Sequence, residues 1–421
     1  MYYDHSRRRS SLRRVLILLI LVGAGVFLII NQNDVRQRII PPPTPTATRT
    51  ARSYIVEAEA LAQTGDLKKA SNAYIQAVSL EPENVEALVT LSRLLAYTDR
   101  TADAVQWAER AVQAAPNSAP AQAALALALN FNFDKLLQQG RPAEADKTLQ
   151  QAFTVAKNAV VLDPKYPEGQ AYLAEIYAET DDLENAVVSI QKALALDSNR
   201  AEIQRAYGSV LESQGKFTDA AEAYRQAIAR APNVAYLYLL LGRAYRTIAQ
   251  ARDPSLWASA LETFKKGAQV DPTDVRLLDE WGWVHYALDQ FRDAQEVLES
   301  AVKLDPQAWS PRSHLAATYF QRTQYEDSID SFKQALDLMN KTFDADHYCV
   351  TAKTPSCDRL VQAYITLGYA YFQLKQCAPS GLGAFRKALI IRPDNPGAQG
   401  GYNQCAVTLG TPVPRTPTPR P

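Results

Sequence analysis

Four histidines and four cysteines are the residues of this chain best suited to metal binding, nucleophilic attack or proton transfer. The cysteines, Cys349, Cys357, Cys377 and Cys405, all lie near the C-terminal end, and His347, Asp344 and Asp346 stand beside the first two. That group could ligate a metal, but its spacing matches no zinc pattern and four ligands do not converge. An even number of clustered cysteines points to disulfides, provided that the segment lies outside a reducing cytosol. His285 takes an aromatic position in a helical pattern and reads as a core substitute, and His5 sits among basic residues. The chain has no G-x-x-x-x-G-K-[ST], H-E-x-x-H or G-x-S-x-G, and the glycines of "GLGAF" (381–385) follow no strand. Carboxylates are plentiful, but a helical chain carries them on solvated faces. The expectation is a protein with no catalytic residue, no metal, no cofactor and no small-molecule substrate, and therefore not an enzyme.

What must position these residues is a phrase repeated along most of the chain. "KASNAYIQAVSLEPEN" (69–84), "AEAYRQAIARAPN" (221–233) and "DAQEVLESAVKLDPQ" (293–307) share one cadence with a period of 34 residues. The second half of each period reads Ala, a large residue, Ala and Pro, as in Ala70, Tyr74, Ala77 and Pro82 or Ala220, Tyr224, Ala227 and Pro232. The first half ends in a large, a small and an aromatic residue, as in "LGRAY" (241–245), "WGWVH" (281–285) and "LGYAY" (367–371). Offsets of three, four and seven place these residues on one face of each of two helices. The small residue (Gly208, Gly242, Gly282, Gly368) and the first Ala of the second helix then mark the closest approach of the two axes. Proline pushes its predecessor out of the α region and ends the second helix.

Over nearly all of residues 51–409 the pattern resembles the tetratricopeptide repeat. The resemblance implies an all-α fold, a right-handed α-solenoid of nine helix pairs beginning at Ala51, Val85, Ala119, Pro167, Ala201, Ala235, Val275, Trp309 and Val361. A final helix at 396–410 would cap the stack, which otherwise leaves an apolar face wet. The third repeat is 14 residues too long, which would lengthen both of its helices by two turns while keeping their faces. The sixth gains six residues at "ARDPSL", and an 18-residue insert (343–360) precedes the ninth. On this layout Cys349 pairs with Cys357 and Cys377 with Cys405; the two other pairings of four cysteines stay open.

Ahead of the repeats, residues 1–14 carry five Arg and one Asp, and "VLILLILVGAGVFLII" follows. Residues 15–33 hold no charge and as a helix reach roughly 28 Å, close to the thickness of a hydrocarbon core. The reading is a single-pass signal anchor with a cytoplasmic N-terminus and an extracytoplasmic repeat domain. No A-x-A site follows promptly, which argues against a cleaved signal peptide. The Pro/Thr-rich segments at 34–50 and 411–421 read as an extended linker and an unpacked tail. The domain plan is thus 1–14, 15–33, 34–50, a solenoid over 51–410, and 411–421.

Lys+Arg and Asp+Glu both total 45, so the chain does not read as a nucleic-acid binder. In the resembled family, first helices line a concave groove. Carried onto this chain, inward positions give Glu59, Glu86, Glu168, Glu175, Glu179, Glu202 and Glu212 in the first five repeats. Later repeats give Tyr236, Arg243, Arg246, Arg276, Trp283, Tyr286, His314, Phe320, Tyr369 and Phe372. Such a groove runs from acidic to aromatic-plus-arginine, and its second half suits another protein or an extended peptide segment. The expected function is a membrane-anchored scaffold or adaptor. Its rivals are an accessory (or enzyme) of cell-envelope glycan or peptidoglycan processing, and a ligand-free spacer.

Overall fold

The computed structural model describes residues 12–30 and 49–410. The basic residues 1–11, residues 31–33 of the expected span, all but the last two residues of the linker and the tail at 411–421 lie outside them. Every regular element among the described residues is helical. The first unit of the chain holds α1 (Leu12–Ile30), 19 residues long, apolar on all sides after Arg14 and long enough to cross a membrane.

The second unit begins at Ala51 and is built of successive helix pairs. In chain order these are α2 (Ala51–Gln63) with α3 (Leu67–Leu80), α4 (Val85–Tyr97) with α5 (Thr101–Ala114), and α6 (Ala119–Gln138) with α7 (Pro142–Leu162). Then come α8 (Pro167–Glu179) with α9 (Leu183–Asp197), α10 (Ala201–Ser213) with α11 (Phe217–Arg230), and α12 (Ala235–Ala251) with α13 (Leu256–Val270). The last pairs are α14 (Val275–Ala287) with α15 (Phe291–Leu304) and α16 (Trp309–Gln321) with α17 (Tyr325–Phe343). The short α18 (Ala345–Thr351) leads to α19 (Pro355–Gln373), which packs on α20 (Leu382–Ile391), and α21 (Pro396–Thr408) closes the stack.

Local chemistry sets the ends of these helices. Asn84 and Asp182 cap α4 and α9 by accepting from the amides of Ala87 and Asn185, which satisfies donors that the first turn leaves open. Asp163, Asp271 and Asp305 each precede a proline, hold extended backbone and stop α7, α13 and α15. The reversal inside eight of the nine pairs uses a left-handed residue, supplied by Gly65, Gly140 and Gly215, by Asp99, Asp181 and Asp289, or by Thr323 and Lys375; the turn between α12 and α13 has none.

Packing within a pair refines the sequence reading. The glycine of the first helix makes room for the bulky residue of the second rather than for its alanine. A Cβ on Gly282 would stand 2.5 Å from Leu298 Cγ, and one on Gly368 would stand 2.7 Å from Phe385 Cε1. Gly208 and Gly242 meet Tyr224 and Phe264 in the same way, and both rings are fully buried. One boundary also differs from expectation. The ninth repeat starts at Pro355, six residues before Val361, because the insert folds into α18 and the first turns of α19. Its second helix opens with a π-helical turn, Cys377–Gly381, in which the Gly381 amide reaches back to Gln376 O at 3.2 Å. Pro379 has no amide to give there.

Candidate partner-binding groove

The first helices of the pairs face inward, and in the N-terminal half their inner faces meet one another. Arg205 on α10 donates to both oxygens of Glu175 on α8, at 2.6 and 2.7 Å, with only 2% and 3% of the two side chains exposed. The rings of Tyr97, Phe131 and Tyr172 stand within 6.0 Å of its guanidinium. Around this centre Arg93 pairs with Glu202 at 3.2 Å, Arg200 with Glu168 at 2.5 Å, and Tyr224 donates to Glu212 at 3.0 Å.

The expected acidic groove is therefore not an open surface. Glu168 and Glu175 are buried and, like Glu202 and Glu212, neutralised or hydrogen-bonded internally, while Glu59 and Glu86 stay exposed. Glu179 keeps a solvent face inside the concavity, beside Asp134. Partial removal of water pushes both carboxyls up, Asp134 to about 6 with Glu175 adding to the effect and Arg243 opposing it, and Glu179 to about 8 with Asp134 and Glu175 adding to it.

The cause is α6. Its lengthened sequence does not keep a single apolar face: from Ala121 to Phe131 every residue is buried. A helix apolar all round belongs in an interior, and this one fills the concave side. The signal was present in "AALALALNFNF" (123–133), which lacks a charged residue. One superhelical turn then closes on itself. Tyr236 stacks on Tyr97 with ring centres 5.5 Å apart and leans on Phe131 at 5.2 Å. Arg276 Nη2 donates to Tyr97 O at 2.8 Å, Lys68 donates to Thr273 O at 3.0 Å, and Asn233 bonds Gln63 O.

The ten residues expected to line the C-terminal groove accordingly divide. Tyr236 belongs to the closure just described. Tyr369 donates to Gly397 O at 3.2 Å and meets Phe385 edge-on, so it holds the capping helix, and Phe372 packs into the same C-terminal core. Phe320 lies against Tyr325. Three do assemble on one wall: Trp283 is stacked between Tyr286, at 4.9 Å, and His314, at 4.6 Å. His314 Nδ1 is 2.7 Å from Asp279 Oδ1, and Ser310 donates to the other oxygen of Asp279 at 2.6 Å. Arg243 and Arg246 share Glu280 at 2.9 and 3.2 Å, and Arg276 is held by Asp274 at 2.7 Å and faces Asp99 at 3.8 Å. These three arginines border a cleft of about 520 Å³ that Asp279 joins to the aromatic wall.

Sequence reasoning missed Asp279, Glu280, Trp309 and Arg359, all of which line that cleft. The two acids directly precede the "WGWVH" motif, whereas Arg359 lies in the insert, where no repeat register locates it. In that insert Cys349 is joined to Cys357, and Cys377 is joined to Cys405 on the capping helix. His285 is buried, with Nδ1 2.6 Å from Gln290 Oε1.

A family model described as tetratricopeptide repeat matches residues 55–119, 133–201 and 280–341, and a second of the same description matches 201–244. Over 188 residues the chain is 28% identical to the probable UDP-N-acetylglucosamine–peptide N-acetylglucosaminyltransferase SPINDLY of Hordeum vulgare, covering 44% of this chain and 18% of that protein. Over 187 residues it is 24% identical to the Hsp70-Hsp90 organizing protein of Triticum aestivum, covering 41% and 31%. The chain thus spans less than a third of the length of either relative. The crystal structure of the APC/C hetero-tetramer Cut9-Hcn1 covers 90% of this chain and 81% of its own, with a TM-score of 0.55 at 13% identity, a likeness of fold.

Proposed function

The chain belongs to the tetratricopeptide repeat family, and from that premise we propose that it is a membrane-anchored, non-catalytic scaffold that grips an extended segment of a partner protein. The segment lies along the C-terminal part of the concave face. The span 15–33, most of it in helix α1, serves as the anchor, residues 34–50 as the spacer, and the basic residues 1–14 favour a cytoplasmic N-terminus, with the repeats on the other side.

One observation carries the reading. The stack of Tyr286, Trp283 and His314 is part-exposed on the stretch of concave wall beyond the closure, whereas the matching stretch of the N-terminal half is filled by α6. Flat aromatic area beside guanidinium donors is what anchors most protein interfaces.

The test is crosslinking and pull-down of the full chain from native membranes. Trp283→Ala with Tyr286→Ala should weaken capture by roughly 2 kcal/mol or more. Glu59→Ala with Glu86→Ala, on exposed first-helix positions of the N-terminal half, should leave it unchanged. Equal recovery by the folded aromatic double variant would refute the wall, and release of the protein by carbonate washing would refute the anchor.

A further inference from the structure

Two of the places where the repeats depart from their common length end at the same cleft. The two-turn extension of α6 brings Lys135, Gln138 and Gln139 to one side of it. The insert before the ninth repeat brings Ser356 and Arg359 to the other. Neither side exists in a repeat of ordinary length, so the cleft is a feature of this chain rather than of the repeat.

Its charges are unevenly matched. Five cations face it, Lys135, Arg243, Arg246, Arg276 and Arg359, against the carboxylates of Asp99, Asp279, Glu280 and Asp305, and Asp274 beside the cleft already holds Arg276. Glu280 serves two guanidiniums at once, and Asp99 serves both Lys135, at 2.6 Å, and Arg276. Asp279 is taken by His314 and Ser310. Among the described residues, the contacts of Arg359 are the Ser310 hydroxyl, at 3.0 Å, and the face of Trp309, at 4.9 Å. Enclosure by the cleft walls lowers its pKa; Asp279 and Glu280 oppose that, and repulsion from Arg243 and Arg246 adds to it.

We propose that this cleft is a recognition site for closely spaced carboxylate side chains, those of an acidic segment in the partner protein. The proposal rests on the reading of the adjoining wall as a partner surface and adds the chemistry of what is bound beside it. Guanidinium and carboxylate match in planar, two-bonded geometry, and Arg359 is the donor left for such a bond. A cleft of about 520 Å³ admits two or three side chains rather than a folded domain. The four resident carboxylates repel a dense polyanion, whereas a peptide can place its acids between them.

The experiment uses the full chain in detergent micelles and a fluorescein-labelled hexaglutamate peptide, read by fluorescence anisotropy. Saturable binding that weakens as salt is raised is the expected result. Arg359→Gln should weaken it about tenfold, Lys135→Gln should weaken it about threefold, and Glu59→Ala with Glu86→Ala, far from the cleft in the chain, should leave it intact. Absence of binding at low salt, or equal binding by folded wild type and Arg359→Gln, overturns the proposal. Displacement of the peptide by polygalacturonate at lower charge concentration than by unlabelled hexaglutamate also overturns it, in favour of an anionic glycan. Hexaglutamate binding that depends on Arg359, together with partner capture that ignores the aromatic variant, leaves this site standing and removes the aromatic wall.

Discussion

The same helix pair, repeated, produces two different interiors. In repeats two to six the concave positions are occupied by the chain itself: Arg205 and Glu175 at the centre, Tyr97, Phe131 and Tyr236 around them, and no open groove. In repeats seven and eight the equivalent wall carries Trp283, Tyr286 and His314, and part of each ring faces solvent. The difference does not lie in how helices pair. Gly208 receives Tyr224 in the closed half as Gly282 receives Leu298 in the open one. It lies in one long apolar helix and in the return of the superhelix onto its own start. A solenoid thus converts inner positions into core or into surface according to what reaches them.

The largest effect that would break this contrast is at the centre of the closed half. Arg205→Leu removes one member of a buried pair and leaves Glu175 charged and unsolvated, which should cost about 3–5 kcal/mol. Arg359→Leu, in the open cleft, should change stability by less than about 0.5 kcal/mol. Thermal unfolding followed by circular dichroism compares them, and similar losses would mean that the two halves are equally closed.

A second pair of substitutions tests whether helix pairing is truly common to both halves. Gly208→Ala and Gly282→Ala each force a Cβ against a buried side chain and should each cost about 1–3 kcal/mol. Urea titration of the two variants should give losses that agree within about 1 kcal/mol. A large cost at one site alone would place the difference between the halves in their pairing after all.

The smallest effect is in the pH dependence, where the halves should slope in opposite senses. Glu179 has a raised folded-state value of about 8, so the folded chain holds a proton that the unfolded chain loses. Its contribution therefore falls as pH rises from the ordinary carboxylate range to about 8, and Glu179→Gln should raise the melting midpoint near pH 8 and not near pH 4. The gain should stay below about 1 kcal/mol because the carboxylate keeps a solvent face. For Asp279, burial pushes the carboxyl up, but His314, Ser310 and Arg359 outweigh it, and the folded value lies below the ordinary 3.8. That group stabilises above the ordinary value and loses its contribution as pH falls through the lower one. Asp279→Asn should accordingly lower the midpoint at neutral pH and converge with wild type in acid.

Sequence alone determined what is local. The offsets of Ala70, Tyr74 and Ala77, or of Gly282 and Leu298, specify which faces of neighbouring helices touch, because those contacts fall within a few turns and one tight reversal. Eight of the nine repeat starts follow from that register, and so does the lengthening of α6 and α7. The ninth start does not, because an insert carries no register of its own. Only the tertiary structure decided which inner residues are free. Arg276 meets Tyr97, and Lys68 meets Thr273, across 179 and 205 residues of chain. Whether such positions meet depends on the small rotation between neighbouring pairs, summed over a whole superhelical turn. No single repeat encodes that sum, so glutamates that read as an acidic groove became internal partners, and an arginine in an insert became part of a cleft.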